Sequence, residues 1–209
     1  MILGLIAVTV PGIPKTTLSE AHITVRVMDY VNLRAAARAE LEATTQRILR
    51  QAGVAVEFID CLTGDAETNT EACRAPLGPT DFALRILQPK FVLRILRPKL
   101  AMRGEQLGYA AMTPEGGAYI TVFICPEQQK ARVSNLSNGP LLGHAVAHEI
   151  GHLLLGPNAH SATGIMRPVW RPVDEEWMEK GVLLFDEGQA NKMRSALAAR
   201  LIHKAPVEH

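Results

Sequence analysis

Aromatic residues make up only 5% of this 209-residue chain, and it has just three cysteines. No apolar run approaches the roughly 18 residues that a bilayer-spanning helix needs, so a membrane span is not expected. The cysteines include no C-x-x-C pair, which removes the usual ligand pattern of a thiolate structural zinc site. Neither sign of charge dominates: 22 lysines and arginines face 21 acids, for a net charge of +1. That balance gives no electrostatic reason to expect nucleic acid or a strongly acidic partner. The most basic segment, Arg85 to Arg103, carries six basic residues and no acid. It lacks interleaved aromatics beyond Phe91, and stacking on single strands needs them. It reads as the solvated ends of strands.

The start of the chain also lacks something. Ile2 to Val10 is apolar and is stopped by Pro11, Gly12 and Pro14, and Ser19-Glu20-Ala21 has the small-x-small form of a signal-peptidase site. The positive charge that normally precedes such a run is missing. The reading is a signal peptide or N-terminal extension over residues 1–21, followed by a single domain over 22–209. A buried N-terminal strand is the alternative. Export would make the protein secreted or periplasmic and would let Cys61 and Cys73 pair. They lie 12 residues apart in a polar loop-like stretch; two free thiols are the reading for a cytosolic chain. Cys125, inside the apolar run from Tyr119, reads as a buried small hydrophobe.

What is present suits one globular domain. Ile23 to Met28 alternates and is rich in β-branched residues, as a strand should be. Leu33 to Gln51 has helical spacing, with Leu33, Ala37, Leu41, Thr44, Ile48 and Leu49 on one stripe and Gly53 as its stop. Val54 to Ile59 is a second strand, parallel to the first if the unit is βαβ. Residues 60–81 read as loop. Residues 82–90 and 91–99 are then a tandem duplication with seven of nine positions identical. Either copy can be a third strand, but the proline ending each prevents one continuous strand. Leu107 to Met112 and Ala118 to Ile124 flank Thr113-Pro114-Glu115-Gly116-Gly117 and predict strand, turn, strand. Residues 167–181, with Pro168, Trp170, Pro172 and Trp177, read as loop. Phe185 to Leu201 reads as a closing helix capped by Asp186, with Ala190, Met193, Leu197 and Leu201 on its apolar face.

The chemistry is concentrated in His148-Glu149-Ile150-Gly151-His152, within a helical stretch that Ser137 or Asn138 can cap, with Pro140 in its first turn. Leu141, Leu142, Val146 and Ile150 supply its core contacts. Histidines four residues apart share a helix face about 6 Å apart along the axis, a good spacing for two imidazoles on one Zn²⁺. Glu149 lies about 100° round, close enough to take a proton from water without being a ligand. His144 shares the face, but it is about 12 Å from His152 along the axis. One ion cannot span that, so His144 reads as a packed histidine. Gly156 and Pro157 end the helix. The chain can then turn back to offer His160 as a third nitrogen, and Gly164-Ile165-Met166 follows.

These residues resemble the metzincin metallopeptidases, with a matrixin-like flavour. Metzincins carry His-Glu-x-x-His-x-x-Gly-x-x-His and a downstream methionine turn. The Gly156-Pro157-Asn158-Ala159-His160-Ser161 run is also similar to that of small bacterial metzincin-like proteins. The resemblance implies one catalytic Zn²⁺ held by His148, His152 and His160, Glu149 as general base and Met166 as the turn methionine. It implies an α+β fold: a mixed, mostly parallel sheet with an antiparallel edge strand, an active-site helix and a C-terminal helix. The edge strand would be the first strand of the hairpin, and residues 167–181 would wall the substrate pocket. The expected activity is a zinc-dependent endopeptidase acting on a protein or peptide substrate, as a monomer. The pattern departs in two places. Three residues, not two, separate His152 from Gly156 and Gly156 from His160. Arg167 follows the methionine, and no tyrosine comes after it. Two alternatives stay open. One is a catalytically inactive zinc-binding interaction module. The other is a gluzincin-like peptidase whose third ligand is Asp174, Glu175 or Glu176.

Overall fold

The computed structural model describes residues 21–61, 70–88, 107–113, 118–124 and 138–202. Strand β1 (Ala21–Asp29) leads into helix α1 (Ala35–Gln51) and strand β2 (Val54–Asp60). The short helix α2 (Glu71–Arg74) precedes strand β3 (Asp81–Leu87), and β4 (Gly108–Met112) and β5 (Ala118–Phe123) form the hairpin. Helices α3 (Asn138–Leu155), α4 (Pro172–Glu179) and α5 (Glu187–Ile202) complete the order.

The sheet runs β2-β1-β3-β5-β4. β1 is parallel to β2 and β3, β3 is parallel to β5, and β4 is antiparallel to β5 at the edge. The architecture is thus α+β, with a mostly parallel sheet and one antiparallel edge strand. Alternation places Ile23, Val25 and Val27, then Phe82, Leu84 and Ile86, then Ala118, Ile120 and Val122 in the same core. Leu41 and Leu49 of α1, Val146 and Ile150 of α3, and Met193 and Leu197 of α5 pack into that core.

Several sequence expectations need correction. Helix α1 begins at Ala35, because the Asp29 carboxylate accepts the amides of Val31 (3.0 Å) and Leu33 (2.7 Å) and holds the preceding turn. Its fully buried threonine is Thr45, not Thr44. The Thr45 hydroxyl satisfies itself on the carbonyls of Leu41 and Gly143, at 2.9 and 3.1 Å. Residues 60–81 contain α2, tied to the end of β2 by the Cys61–Cys73 disulfide. Residues 167–181 contain α4, with Pro172 in its first turn and the Asp174 side chain accepting the Arg171 amide at 2.8 Å. Leu201 is 58% exposed and does not belong to the buried face of α5.

The first copy of the duplication supplies β3; the second copy lies outside the described residues. So do residues 1–20, Cys125, Ser137, His203, His209 and most of the basic segment. No helix among the described residues is long and apolar enough to cross a membrane.

Helices α1 and α3 make the most extensive helix–helix contact among the described residues. Its cause is a stripe of small residues, Gly139, Gly143 and Ala147, each four positions on, along the side of α3 that faces α1. A Cβ on Gly143 would lie 2.6 Å from Thr44 Cβ and 2.7 Å from the Leu41 carbonyl oxygen. The backbones therefore approach closer than side chains would permit. One position on from Gly143, Ala147 and Gly151 stand His144, His148 and His152, a row about 100° round the helix, so the same contact fixes the rotation of the histidine face.

Candidate metal centre

Helix α3 presents His148 buried and His152 half-buried, and the loop after it returns the exposed His160. The Nε2 atom of His152 lies 3.0 Å from that of His148 and 3.1 Å from that of His160. The ligating atoms of all three lie within 4.8 Å of one another. Among the described residues, this is the one group of three or more His, Cys, Asp or Glu able to share an ion, and no carboxylate joins it. Asp174 is fully buried and paired instead with Arg167 at 3.2 Å, and Glu176 faces Lys180 at 3.8 Å.

The loop earns its return by local geometry. Gly156 has φ +102°, and a Cβ there would meet nothing within 4 Å. The glycine is thus required by its backbone conformation and not by crowding. Its amide donates to the His152 carbonyl at 3.0 Å, closing the helix, and the Ala159 amide donates back to Gly156 at 3.3 Å. Past His160, the Ser161 amide bonds the Met166 carbonyl at 2.9 Å, and Gly164 turns with φ +73°. The Ile165 amide reaches the Leu184 carbonyl at 3.1 Å. Met166 is fully buried against Gly151, the residue before His152: a Cβ on Gly151 would fall 2.5 Å from its sulfur.

Tautomers decide what the cluster can do. His148 Nδ1 faces the Ile165 carbonyl at 2.8 Å, and a carbonyl only accepts, so Nδ1 carries the proton and Nε2 has a free lone pair. His152 Nδ1 faces the Gly156 carbonyl at 3.4 Å in the same sense. Two bare lone pairs 3.0 Å apart repel unless a cation lies between them. Tetrahedral zinc, with Zn–N of about 2.0–2.1 Å, sets its nitrogens about 3.3–3.4 Å apart, a few tenths of an ångström from the spacing here. The donor set fits a divalent ion that prefers imidazole.

Burial shapes the charges. Desolvation lowers the pKa of His148 to about 4; the Ile165 bond opposes this, and His152 and His160 add to it. His152 is lowered for the same leading reason. Neutral imidazoles are the form that ligates. Glu149 is 6% exposed, and burial raises its pKa to about 8. Its carboxylate lies against β4, where a Cβ on Gly108 would come within 3.0 Å of Glu149 Oε1 and 2.8 Å of the Thr121 carbonyl. Glycine at 108 is what leaves the carboxylate its space.

No family model matches the chain, and no curated protein matches it. The geometry therefore stands by itself.

His144 is fully buried outside the three-histidine group, with Nδ1 on the Pro140 carbonyl at 2.7 Å. Burial holds its pKa near 4. Sequence reasoning placed Trp170 in a pocket-wall loop but missed its tie to the cluster: its indole N–H donates to the Ile165 carbonyl at 3.1 Å while its ring meets His148 edge-on at 5.7 Å. It also missed Gly108 and the Arg167–Asp174 pair. Only the small-residue stripe of α3 had a readable signal, the four-residue spacing itself.

Proposed function

We propose that the chain is a zinc-dependent endopeptidase of metzincin type that hydrolyses peptide bonds. The observation that carries this reading is the convergence of three imidazole Nε2 atoms beside a buried, non-ligating carboxylate. His148, His152 and His160 would hold the ion, leaving a coordination position open. Zinc, when bound, supplies a Lewis acid that lowers the pKa of water and polarises a carbonyl oxygen. Glu149 takes the proton of the attacking water and returns it to the leaving amine. Its raised pKa in the metal-free chain marks a group whose charge state a neighbouring cation would reset. The Ile165 carbonyl keeps His148 in the ligating tautomer. Met166 packs under Gly151 and does not ligate.

Strand β4 is the sheet's antiparallel edge and touches α3 through Gly108. It would receive an extended peptide by strand addition, the backbone-directed mode that suits an endopeptidase. The disulfide supports export to an oxidising compartment, secreted or periplasmic.

The test is metal analysis of the purified chain together with cleavage of an unstructured protein such as casein and of a peptide library. Cleavage should require zinc, cease with a chelator and return on adding metal. Glu149→Ala should keep the ion and lose hydrolysis. A zinc-loaded Glu149→Ala that cleaves like the parent would sink the mechanism. A parent that binds zinc and cleaves nothing would favour an inactive binding module.

A further inference from the structure

We propose that Gln189, on the C-terminal helix, is a positioning residue for the third metal ligand. It acts on His160 through Ser161. The inference rests on the metal-centre reading above, but its test does not need catalysis.

His160 is the exposed member of the cluster and stands on a loop longer than the resemblance leads one to expect. Its orientation must come from what holds that loop. Ser161, the next residue, has its amide on the Met166 carbonyl and its hydroxyl proton on the Thr163 carbonyl at 2.7 Å. Both bonds stay within the turn and fix its shape without fixing its place. The hydroxyl's lone pairs remain, and one accepts Gln189 Nε2–H at 3.3 Å.

The Gln189 amide has no freedom to turn the other way. Its Oε1 accepts the Asp186 amide at 3.0 Å, while its own backbone amide donates to Asp186 Oδ1 at 2.7 Å. This reciprocal cap commits the oxygen to the helix start and leaves the NH₂ aimed at Ser161. The helix behind it is a firm base. Ala190, Met193 and Leu197 are buried, Arg194 donates to the Ala52 carbonyl at 2.7 Å, and Arg200 donates to the Leu153 carbonyl at 2.5 Å, next to His152. Gln189 also forms part of the wall of an open groove of about 540 Å³ beside His160, so the bond is made at the surface and is not enforced by core packing. Partners that hold a ligand in place from outside the coordination shell are worth about 10- to 100-fold in metal affinity.

Zinc dissociation constants, measured by competition with a chromogenic chelator, test this on the full chain, with Tm of the metal-free protein measured alongside. Gln189→Glu keeps the acceptor for Asp186 and removes the donor to Ser161. Gln189→Met removes it without adding charge. Each should weaken zinc by about tenfold, as should Ser161→Ala. Adding Gln189→Glu to Ser161→Ala should change nothing further, because both delete one bond. Arg194→Ala, on the same helix, should lower Tm and leave zinc affinity at the parent value. Parent-like affinity in both Gln189 variants, additive losses in the double variant, or an equal loss in Arg194→Ala would each overturn the proposal. A parent chain that binds no zinc would overturn the metal centre itself, and the positioning role with it.

Discussion

His148 and Trp170 share one acceptor. The imidazole Nδ1–H and the indole N–H both end on the Ile165 carbonyl, at 2.8 and 3.1 Å, with the two rings perpendicular. The carbonyl has two lone pairs and satisfies both donors, so the tautomer of buried His148 is set from within the turn after His160. Trp170→Phe should keep the ring edge and lose one bond. Stability should fall by about 1 kcal/mol, typical for one hydrogen bond. Zinc affinity should fall less than tenfold, since His148 retains its own bond. Denaturant titration and chelator competition measure the two effects, and a hundredfold loss of zinc would show that Trp170 does more than share the carbonyl.

The ligand set is checked by single substitutions. His148→Ala, His152→Ala and His160→Ala should each lower zinc affinity by orders of magnitude. Glu175→Gln and Glu176→Gln should leave it near the parent value. Asp174→Asn should also spare zinc, but it leaves the Arg167 charge buried without its partner. Loss of one member of such a pair costs about 3–5 kcal/mol. Tight zinc binding by His160→Ala, with loss in a Glu175 or Glu176 variant, would replace this ligand set with a gluzincin-like one.

Gly143→Ala probes the helix contact that aims the histidines. The added methyl would enter space held by Thr44 Cβ and the Leu41 carbonyl. Overpacking of this kind costs about 1–3 kcal/mol, and α1 must move away from α3. Pairing it with Thr44→Ala or Thr44→Gly should recover part of the loss, because the contact is mutual. A Gly143→Ala protein as stable as the parent would mean the helices are not held at this distance.

The metal-free chain should be most stable near pH 6.5. Burial raises Glu149 from 4.5 to about 8, so the fold holds a proton there that the unfolded chain has released. That contribution is complete below about pH 4.5 and is lost as pH rises toward 8. His144 and His148 run the other way. Burial lowers each from 6.5 to about 4, and His152 is lowered too. Their contributions are present above 6.5 and lost as pH falls, toward 4 for His144 and His148. Three histidines outweigh one carboxyl below 6.5, and the carboxyl acts alone above it. Its limiting slope is about 1.4 kcal/mol per pH unit for one proton. Urea unfolding from pH 6.5 to 8 should therefore decline in the parent and stay flatter in Glu149→Gln. Parallel profiles would show that Glu149 is already charged in the metal-free fold.

The Cys61–Cys73 bridge closes a loop of 12 residues. In the chain-entropy account such a crosslink is worth about 2–3 kcal/mol. Cys61→Ser with Cys73→Ser should lower stability by that amount and leave zinc affinity unchanged, because neither cysteine touches the histidine cluster. Mass spectrometry of unreduced peptides from the native compartment should show the linked pair; two free thiols there would contradict it.

Local periodicity was legible from the residues alone. Alternation marked β1, the strand–helix–strand order marked β2, and the turn residues between two strand-like runs marked the β4–β5 hairpin, while the four-residue spacing of His148 and His152 placed both on one face of α3. Gly156-Pro157 marked that helix's end, and distance along the axis separated His144 from the cluster. These features depend on neighbours a few positions apart, and so survive in a sequence read without its fold. Other features did not. The duplication did not say which copy would form β3, because the pairing of the first copy with β1 and β5 decides it. Pro172 and Asp174 start α4 inside a stretch whose prolines and tryptophans look like loop. Burial of Thr45 over Thr44, the space that Gly108 leaves for Glu149, and the return of His160 to His152 all join residues distant in the chain. Sequence determined the chemical groups and the helix that carries two of them. Only the tertiary structure decided which groups meet, because a 3 Å contact across the fold is set by how backbones pack and not by any local repeat.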